Sequence, residues 1–520
     1  MSDPEGNIIA DKSINKSGLP DEVRSASGSR DSPPKASGLE HLRQSRRQTA
    51  LWAIDFCLGA ATLCVYLATE RYGAILPWLY TFGLLIAAGA WWDRTSRQDG
   101  RLLRLLITSY LAVSLVGMLE VSDNLRQYGT MFGIGADDSD YFFNARTILQ
   151  DGVIPAGAGL YDLVLAAWGF LPNLIWKETT TAFEFLPLNW ALAAAVVGLC
   201  DELCFVVLKQ RPPLWILALT LLANYKFTDA TIHLYRDGLL LTFFLLALNS
   251  LMRVQRLRSV LYSLPVLVLR AANFGLYCIV FLLSVALGRA RTRVIFYRWV
   301  LSFLCAFAFL APIIGPQVFR YATRITLGGY VDEHIASTLF EEMQFRGEIY
   351  ALSTGTAQST TLGYEMANNT AASFVLRPIT FELLPIRFWP LEMGGNSASR
   401  FAVNISSDRE LTLRNVYLWF SIISWVAVLP LLIVGLGVAA AGSRNLNIMF
   451  VYYLVSVFAV SFISFELRHA TAFITIHPLL ALAGYNSVRK HQRVRAFAIG
   501  FAVLTAFGIC AYNSFAGALL

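Results

Sequence analysis

From Leu51 to the carboxyl terminus, apolar runs of about membrane-crossing length follow one another, and short clusters of arginine separate them. A helix needs about 20 apolar residues to cross a hydrocarbon core of about 30 Å. A chain that repeats this pattern has little choice but to fold as a bundle of membrane helices. The charge supply agrees: charged residues make up 15% of 520 residues, apolar residues 56%, and mean hydropathy is +0.53. Soluble domains carry about 25% charged residues, so a soluble enzyme, a disordered scaffold and a disulfide-stapled secreted domain are all excluded. The fold class expected is an all-α polytopic membrane protein with 11–13 transmembrane helices, some short or broken, and two large extracytoplasmic loops.

Residues 1–48 are rich in Ser, Gly, Pro, Asp, Lys and Arg and poor in large apolar residues. Such a composition cannot offset ordering entropy, so this stretch is expected to be a disordered cytoplasmic tail. The first apolar run begins only at Leu51 and is already of span length, so it reads as an anchor and not as a cleaved leader. Lys and Arg of short loops collect on the cytoplasmic side. Arg43, Arg46 and Arg47 therefore place the amino terminus there, and Arg94, Arg97, Arg101 and Arg104 bring the chain back after the second run. The first three spans fill 49–121. In 122–184, acids (Asp123, Asp137, Asp138, Asp140, Asp151, Asp162, Glu178, Glu184) outnumber bases (Arg126, Arg146, Lys177) by eight to three. That stretch is read as an extracytoplasmic loop. Its apolar piece, 159–176, is read as an interfacial or re-entrant helix, because counting it as a span would move the later arginine clusters to the wrong side.

A bundle over 185–315 follows, with the span 185–208, short helices at 213–225 and 237–252, and the span 294–315. Residues 259–287 carry basic clusters on both flanks and Arg270 inside. They read as two short helices meeting at Arg270 part-way up the membrane, which is tolerated where broken helices line a protein-walled cavity. A second extracytoplasmic loop covers 316–415. Runs 416–441, 447–465, 470–486 and 495–513 complete the C-terminal spans within 416–520.

The net charge of +7 and pI of about 9.0 come from these dispersed clusters and not from one basic stripe, so no nucleic-acid partner is expected. All seven cysteines lie inside apolar runs as small buried hydrophobes. Cys200 and Cys204, one turn apart around Asp201 and Glu202, have the spacing of a metal site, but packed helix residues fit them better. Asp201 and Glu202 read either as a proton relay or as partners of loop arginines.

Chemistry concentrates in Gly135–Arg146, just beyond the third span. Asp137, Asp138 and Asp140 crowd three negative charges together, which suits one of them to accept a proton or hold a cation. The plainer reading is a solvated helix start, where acids match the helix dipole. Charges at membrane depth are costly and therefore mark candidate sites: Arg236 and Asp237, Arg270, and Glu466, Arg468 and His469. By the topology above, all face the leaflet of the aspartates. Arg matches phosphate oxygens in geometry, so this set suits a lipid phosphate held beside a proton acceptor. The competing reading pairs Arg236 with Asp237 and Glu466 with Arg468. In the second loop Arg377 and Glu382 remain binding candidates, while Trp389 fits an interfacial aromatic belt.

The run Asp137-Asp138-Ser139-Asp140-Tyr141, followed by Asn144-Ala145-Arg146 and by Asp151-Gly152 with Pro155, resembles the first-loop pattern of GT-C type membrane glycosyltransferases and the related bacterial polymerases of surface polysaccharide. Arg236-Asp237, and Arg468-His469 ahead of an apolar run containing Pro478, add to the likeness. The resemblance covers about 60 residues by these short motifs. It implies a polyprenyl-phosphate-linked donor used at the outer face of a bacterial inner membrane. It makes Asp137 or Asp138 the catalytic acid or base, with Asp140 beside them. Tyr141 and Arg146 become binding residues, and Arg236, Arg270, Arg468 and His469 phosphate-binding candidates. The family places its acidic loop after the first span, whereas here further spans and a long tail precede that loop, which leaves the identity of the catalytic acid open. Asp138-Ser139-Asp140 also matches the D-x-D of nucleotide-sugar transferases, but no alternation of strand and helix accompanies it.

No cofactor is expected, although three close carboxylates leave room for a divalent cation. Partners implied are a polyprenyl-linked saccharide, membrane lipid, and polysaccharide-assembly proteins reached through the tail. Two other readings compete: a transporter or flippase of lipid-linked saccharides or another anionic substrate, and a non-catalytic member of an export complex. Long outer loops and no detectable internal repeat favour the enzyme. The sequons at Asn368 and Asn404 are expected bare in a bacterial setting.

Overall fold

A computed structural model of the chain describes residues 37–96, 100–128, 136–176, 182–287, 413–463 and 471–518. The described residues are 88% helix, and no strand occurs among them. The chain divides into two compact units, Met1–Ile54 and Asp55–Leu520. The described part of the first, 37–54, is the opening of α1 (Ser37–Ala68). This helix begins inside the stretch assigned to the tail, where Leu39, Leu42 and good helix formers such as Glu40, Arg43 and Gln44 let the helical turn propagate.

The second unit continues with α2 (Ile75–Ser96), α3 (Arg101–Tyr128), α4 (Ala136–Asp151), α5 (Leu160–Trp176), α6 (Leu186–Leu208), α7 (Leu214–Leu217), α8 (Tyr225–Ile232), α9 (Asp237–Met252), α10 (Arg256–Leu269) and α11 (Ala271–Leu287). After residues outside the described set come α12 (Leu413–Ala441), α13 (Arg444–Ile463), α14 (Thr471–Ile474), α15 (His477–Lys490) and α16 (Gln492–Ala518). Five helices among the described residues are long and apolar enough to cross a membrane, as an integral membrane protein requires: Leu51–Ala68, Ile75–Thr95, Arg101–Ser122, Ala182–Leu208 and Phe420–Ala441. A sixth candidate is the pair α8 and α9, bent by 114° at its break. The expected span 294–315 and most of the loop 316–415 lie outside the described residues.

Two runs expected as single helices are broken. Residues 213–225 divide into α7, a π-helical turn at Ala218–Leu222, and the start of α8. Asn224 forces this start by capping α8, its side-chain oxygen accepting the Lys226 N–H at 3.1 Å. Residues 470–486 divide at Thr475–Ile476, because Pro478 opens α15 and has no N–H with which to extend α14. By contrast, α10 and α11 meet at Arg270, which takes an extended conformation between them.

Helix α6 is buried on nearly all sides, as a helix apolar all round must be. Glycines set how closely its neighbours approach. A Cβ on Gly117 of α3 would lie 2.6 Å from Trp190 Nε1. Between α12 and α15 the approach is backbone to backbone: a Cβ on Gly435 would lie 2.0 Å from the Leu480 carbonyl oxygen, and one on Gly484 2.0 Å from that of Leu431. Small residues permit this packing where lipid offers no hydrophobic drive between helices. Large apolar side chains such as Phe497, Val503, Leu504 and Phe507 on α16 stay exposed, as a lipid-facing surface requires.

Candidate functional site

The bend between α8 and α9 strips helical partners from the backbone at residues 232–235. In an apolar setting those carbonyls must find donors. Helix α6 supplies them. The Asn189 Nδ2 donates to the carbonyls of His233 and Tyr235, the latter at 3.0 Å, and Trp190 Nε1 donates to that of Ile232 at 3.3 Å. Asn189 is itself fixed, its Oδ1 accepting from the Tyr161 hydroxyl at 2.8 Å. Burial holds the Tyr161 phenol well above its usual range, so it stays neutral and donates. From the other side Ser421 and Tyr417 brace α8: the Tyr225 N–H donates to Ser421 Oγ at 3.0 Å, and the Tyr417 hydroxyl donates to the Leu222 carbonyl at 2.8 Å.

This scaffold gathers ionisable groups at one place. Asp138, buried in the first turn of α4, has Oδ2 3.8 Å from His233 Nδ1. The other ring nitrogen, Nε2, lies 3.9 Å from Asp229 Oδ1, one turn back on α8. At the start of α9, Asp237 is fully buried and pairs with Arg270 Nη1 at 3.0 Å. The competing reading that paired Arg236 with Asp237 is thus corrected: these neighbours in sequence do not pair, and the break at Arg270 brings its guanidinium to Asp237 instead. Arg236 occupies the position just before the same helix and exerts its field on Asp162. Asp162, near the start of α5, accepts the Gly159 N–H at 2.6 Å. Burial raises its carboxyl above the usual range, opposed by hydrogen bonds from Gly159 and Asn144.

Of the residues singled out from the sequence, Asp138, Arg236, Asp237 and Arg270 therefore converge on the α8–α9 bend. Tyr141 borders it, its ring edge-on to Tyr161 at 4.9 Å. Asp140 is exposed. Arg146 is bound along its own helix, Nε donating to Gln150 at 3.0 Å. Asp137 falls within α4, with its side chain outside the described set. Arg377, Glu382, Glu466, Arg468 and His469 lie outside the described residues.

Sequence reasoning missed His233, Asp229, Asn189 and Tyr161. Asp229 and His233 carried a signal, since a spacing of four puts both on one helix face. Asn189 and Tyr161, neutral polar side chains in apolar runs, carried none.

Asp201 and Glu202 resolve to the second of their two readings. Asp201 pairs with Arg101 at 2.7 Å and with Arg211, while Glu202 pairs with Arg211 at 3.2 Å and with Arg253. Arg101 also donates to the Pro212 carbonyl at 2.6 Å. Cys200 donates to the Thr475 carbonyl at 3.4 Å, and no metal-holding group of three occurs among the described residues.

Comparison with protein-family models, with curated proteins and with solved structures gives no match.

Proposed function

We propose that this chain is a membrane glycosyltransferase that uses polyprenyl-phosphate-linked saccharides at the outer face of a bacterial inner membrane, in cell-surface polysaccharide or glycoconjugate synthesis. Its amino terminus is then cytoplasmic, and the α4–α5 segment faces outward. The observation that carries the reading is the placement of buried Asp138 against the α8–α9 bend that also holds Arg236, Asp237 and Arg270.

Sugar transfer needs two things in one cleft: a base for the acceptor hydroxyl and fixed positive groups where charge develops on the leaving phosphate. Asp138 suits the first role. Arg236, three Cα steps beyond His233 and hence at most about 11 Å from it, suits the second, with Arg270 behind Asp237. In the transfer the acceptor oxygen bonds to the anomeric carbon as its proton passes to Asp138. The bond from that carbon to the phosphate oxygen breaks, and its electron pair stays on the phosphate. Arg236 gains most from that charge, since its neighbour Asp237 is already engaged by Arg270.

Single replacement of Asp137, Asp138 and Asp140 by Asn tests the reading. Asp138→Asn is expected to lower the surface glycan by roughly 100-fold, the scale of a lost general base, at normal protein level and with polyprenyl-linked intermediates accumulating. Wild-type glycan from the Asp138→Asn chain sinks the proposal.

A further inference from the structure

The buried groups around Asp138 include one that the transfer step leaves unused. His233 stands between two carboxylates at nearly equal distances, Nδ1 to Asp138 Oδ2 at 3.8 Å and Nε2 to Asp229 Oδ1 at 3.9 Å. Side-chain exposure rises along this line, 2% at Asp138, 6% at His233 and 14% at Asp229. Asn189 holds the His233 carbonyl, and the two ring nitrogens face the two carboxylates from opposite edges of the imidazole.

We infer that His233 is a positioning residue that relays the proton collected by Asp138 to Asp229, and so returns the base to its working form. The inference rests on the reading of Asp138 as the acceptor's base. The layout is that of a base oriented by a third group. Asp229 holds the ring with its proton on Nε2, which leaves Nδ1 unprotonated toward Asp138. When Asp138 gains the acceptor's proton, its O–H bond breaks and an N–H bond forms at Nδ1. The imidazolium so formed lies between two carboxylates, which favour its charge. Its Nε2–H bond then breaks and the proton passes to Asp229, the most exposed of the three, which gives it up to water; the ring, left with its proton on Nδ1, regains its starting form by losing that proton to water and taking one from water at Nε2. The distances exceed a hydrogen bond by about 1 Å, a gap that closes in a substrate complex or is spanned by one water.

The groups facing this line are few among the described residues. Asp138 approaches from α4, Asp229 lies on α8 itself, and the Tyr235 ring sits 5.4 Å from the imidazole. Asn189 of α6 holds the His233 carbonyl, and Tyr417 of α12 feels both Asp229 and Glu120 of α3. Arg236, Asp237 and Arg270 occupy the α9 side of the bend.

Histidine-selective 15N NMR on the full chain in detergent micelles tests the relay. The chain has six histidines, and His233→Gln identifies the His233 signals by their loss. The wild-type chain is expected to show Nε2 protonated and Nδ1 unprotonated at neutral pH. Asp229→Asn is expected to shift the proton toward a mixture of both tautomers. A ring with its proton on Nδ1, a ring doubly protonated throughout the range of about pH 5 to 8 in which histidine normally titrates, or His233 signals unmoved in Asp229→Asn, each overturns the relay. Should Asp229→Asn fail to accumulate, the wild-type tautomer decides alone. In cells, His233→Gln is expected to slow glycan formation by roughly 100-fold, and wild-type rates from it overturn the relay. The two readings fail separately. Glycan insensitive to Asp138→Asn removes the transferase, whereas a wrong tautomer with glycan still dependent on Asp138 removes only the relay.

Discussion

Asp162 shows how one buried carboxyl serves a helix start at a cost. It accepts the Gly159 N–H across the first turn of α5, as the acidic member of a capping box does, and burial raises its proton affinity. The folded chain therefore binds more proton at this site than the unfolded chain. Stability falls as pH rises from the ordinary carboxyl range through the raised folded value. Asp162→Asn keeps an acceptor for Gly159 and removes that slope. Melting curves from about pH 4 upward, the ordinary carboxyl value, are expected to diverge, with the variant gaining on wild type as pH rises; parallel curves refute the assignment. At Asn189 the expected cost is of another kind. Asn189→Leu leaves the His233 and Tyr235 carbonyls without their donor, worth about 1–3 kcal/mol for each unsatisfied buried group. A thermal midpoint equal to wild type counts against it. Asp138, Arg236, Asp237 and Arg270 were legible in the sequence because charge at membrane depth is rare. Asn189 and Tyr161 were not, because neutral polar side chains in apolar runs announce nothing until the carbonyls they serve are located.

Among elements, the packing of α12 on α15 depends on two glycines whose added methyl groups meet a facing carbonyl and not a movable side chain. Gly435→Ala and Gly484→Ala are each expected to cost about 1–3 kcal/mol, the range for overpacking, while Gly437→Ala, whose Cβ meets nothing within 4 Å, is expected to be nearly neutral. Detergent melting of the three variants checks the ranking, and equal midpoints refute it. Helix α9 spans the range its hydropathy predicts, and α10 and α11 break at the arginine where the charge pattern places the break. The breaks at 218–224 and 475–476 were not legible. No Asp, Glu, Lys or Arg interrupts those runs, and the decision lies with a cap at Asn224 and a missing amide at Pro478.

For the whole molecule, one ion network ties distant helix ends together: Arg101 opening α3, Arg211 after α6 and Arg253 after α9 meet on Asp201 and Glu202. Removing one partner of a buried pair costs about 3–5 kcal/mol. Asp201→Asn is expected at or below the low end, since Arg101 and Arg211 reach water, and an unchanged melting point contradicts the clamp. Membranes washed with alkaline carbonate are expected to retain the chain, and its release contradicts an integral protein. Read along the chain, hydropathy was enough to establish a helical protein built of segments long and apolar enough to cross a membrane. Hydropathy and charge act locally along the chain, and they fix each segment's environment before any partner is met. Which charges meet was settled by how the helices pack. That packing set Asp138 against His233 and Arg270 against Asp237 around a 114° bend, and gave Asp201 and Glu202 to three arginines, because it brings helix ends together from separate parts of the chain, a relation that local hydropathy does not encode.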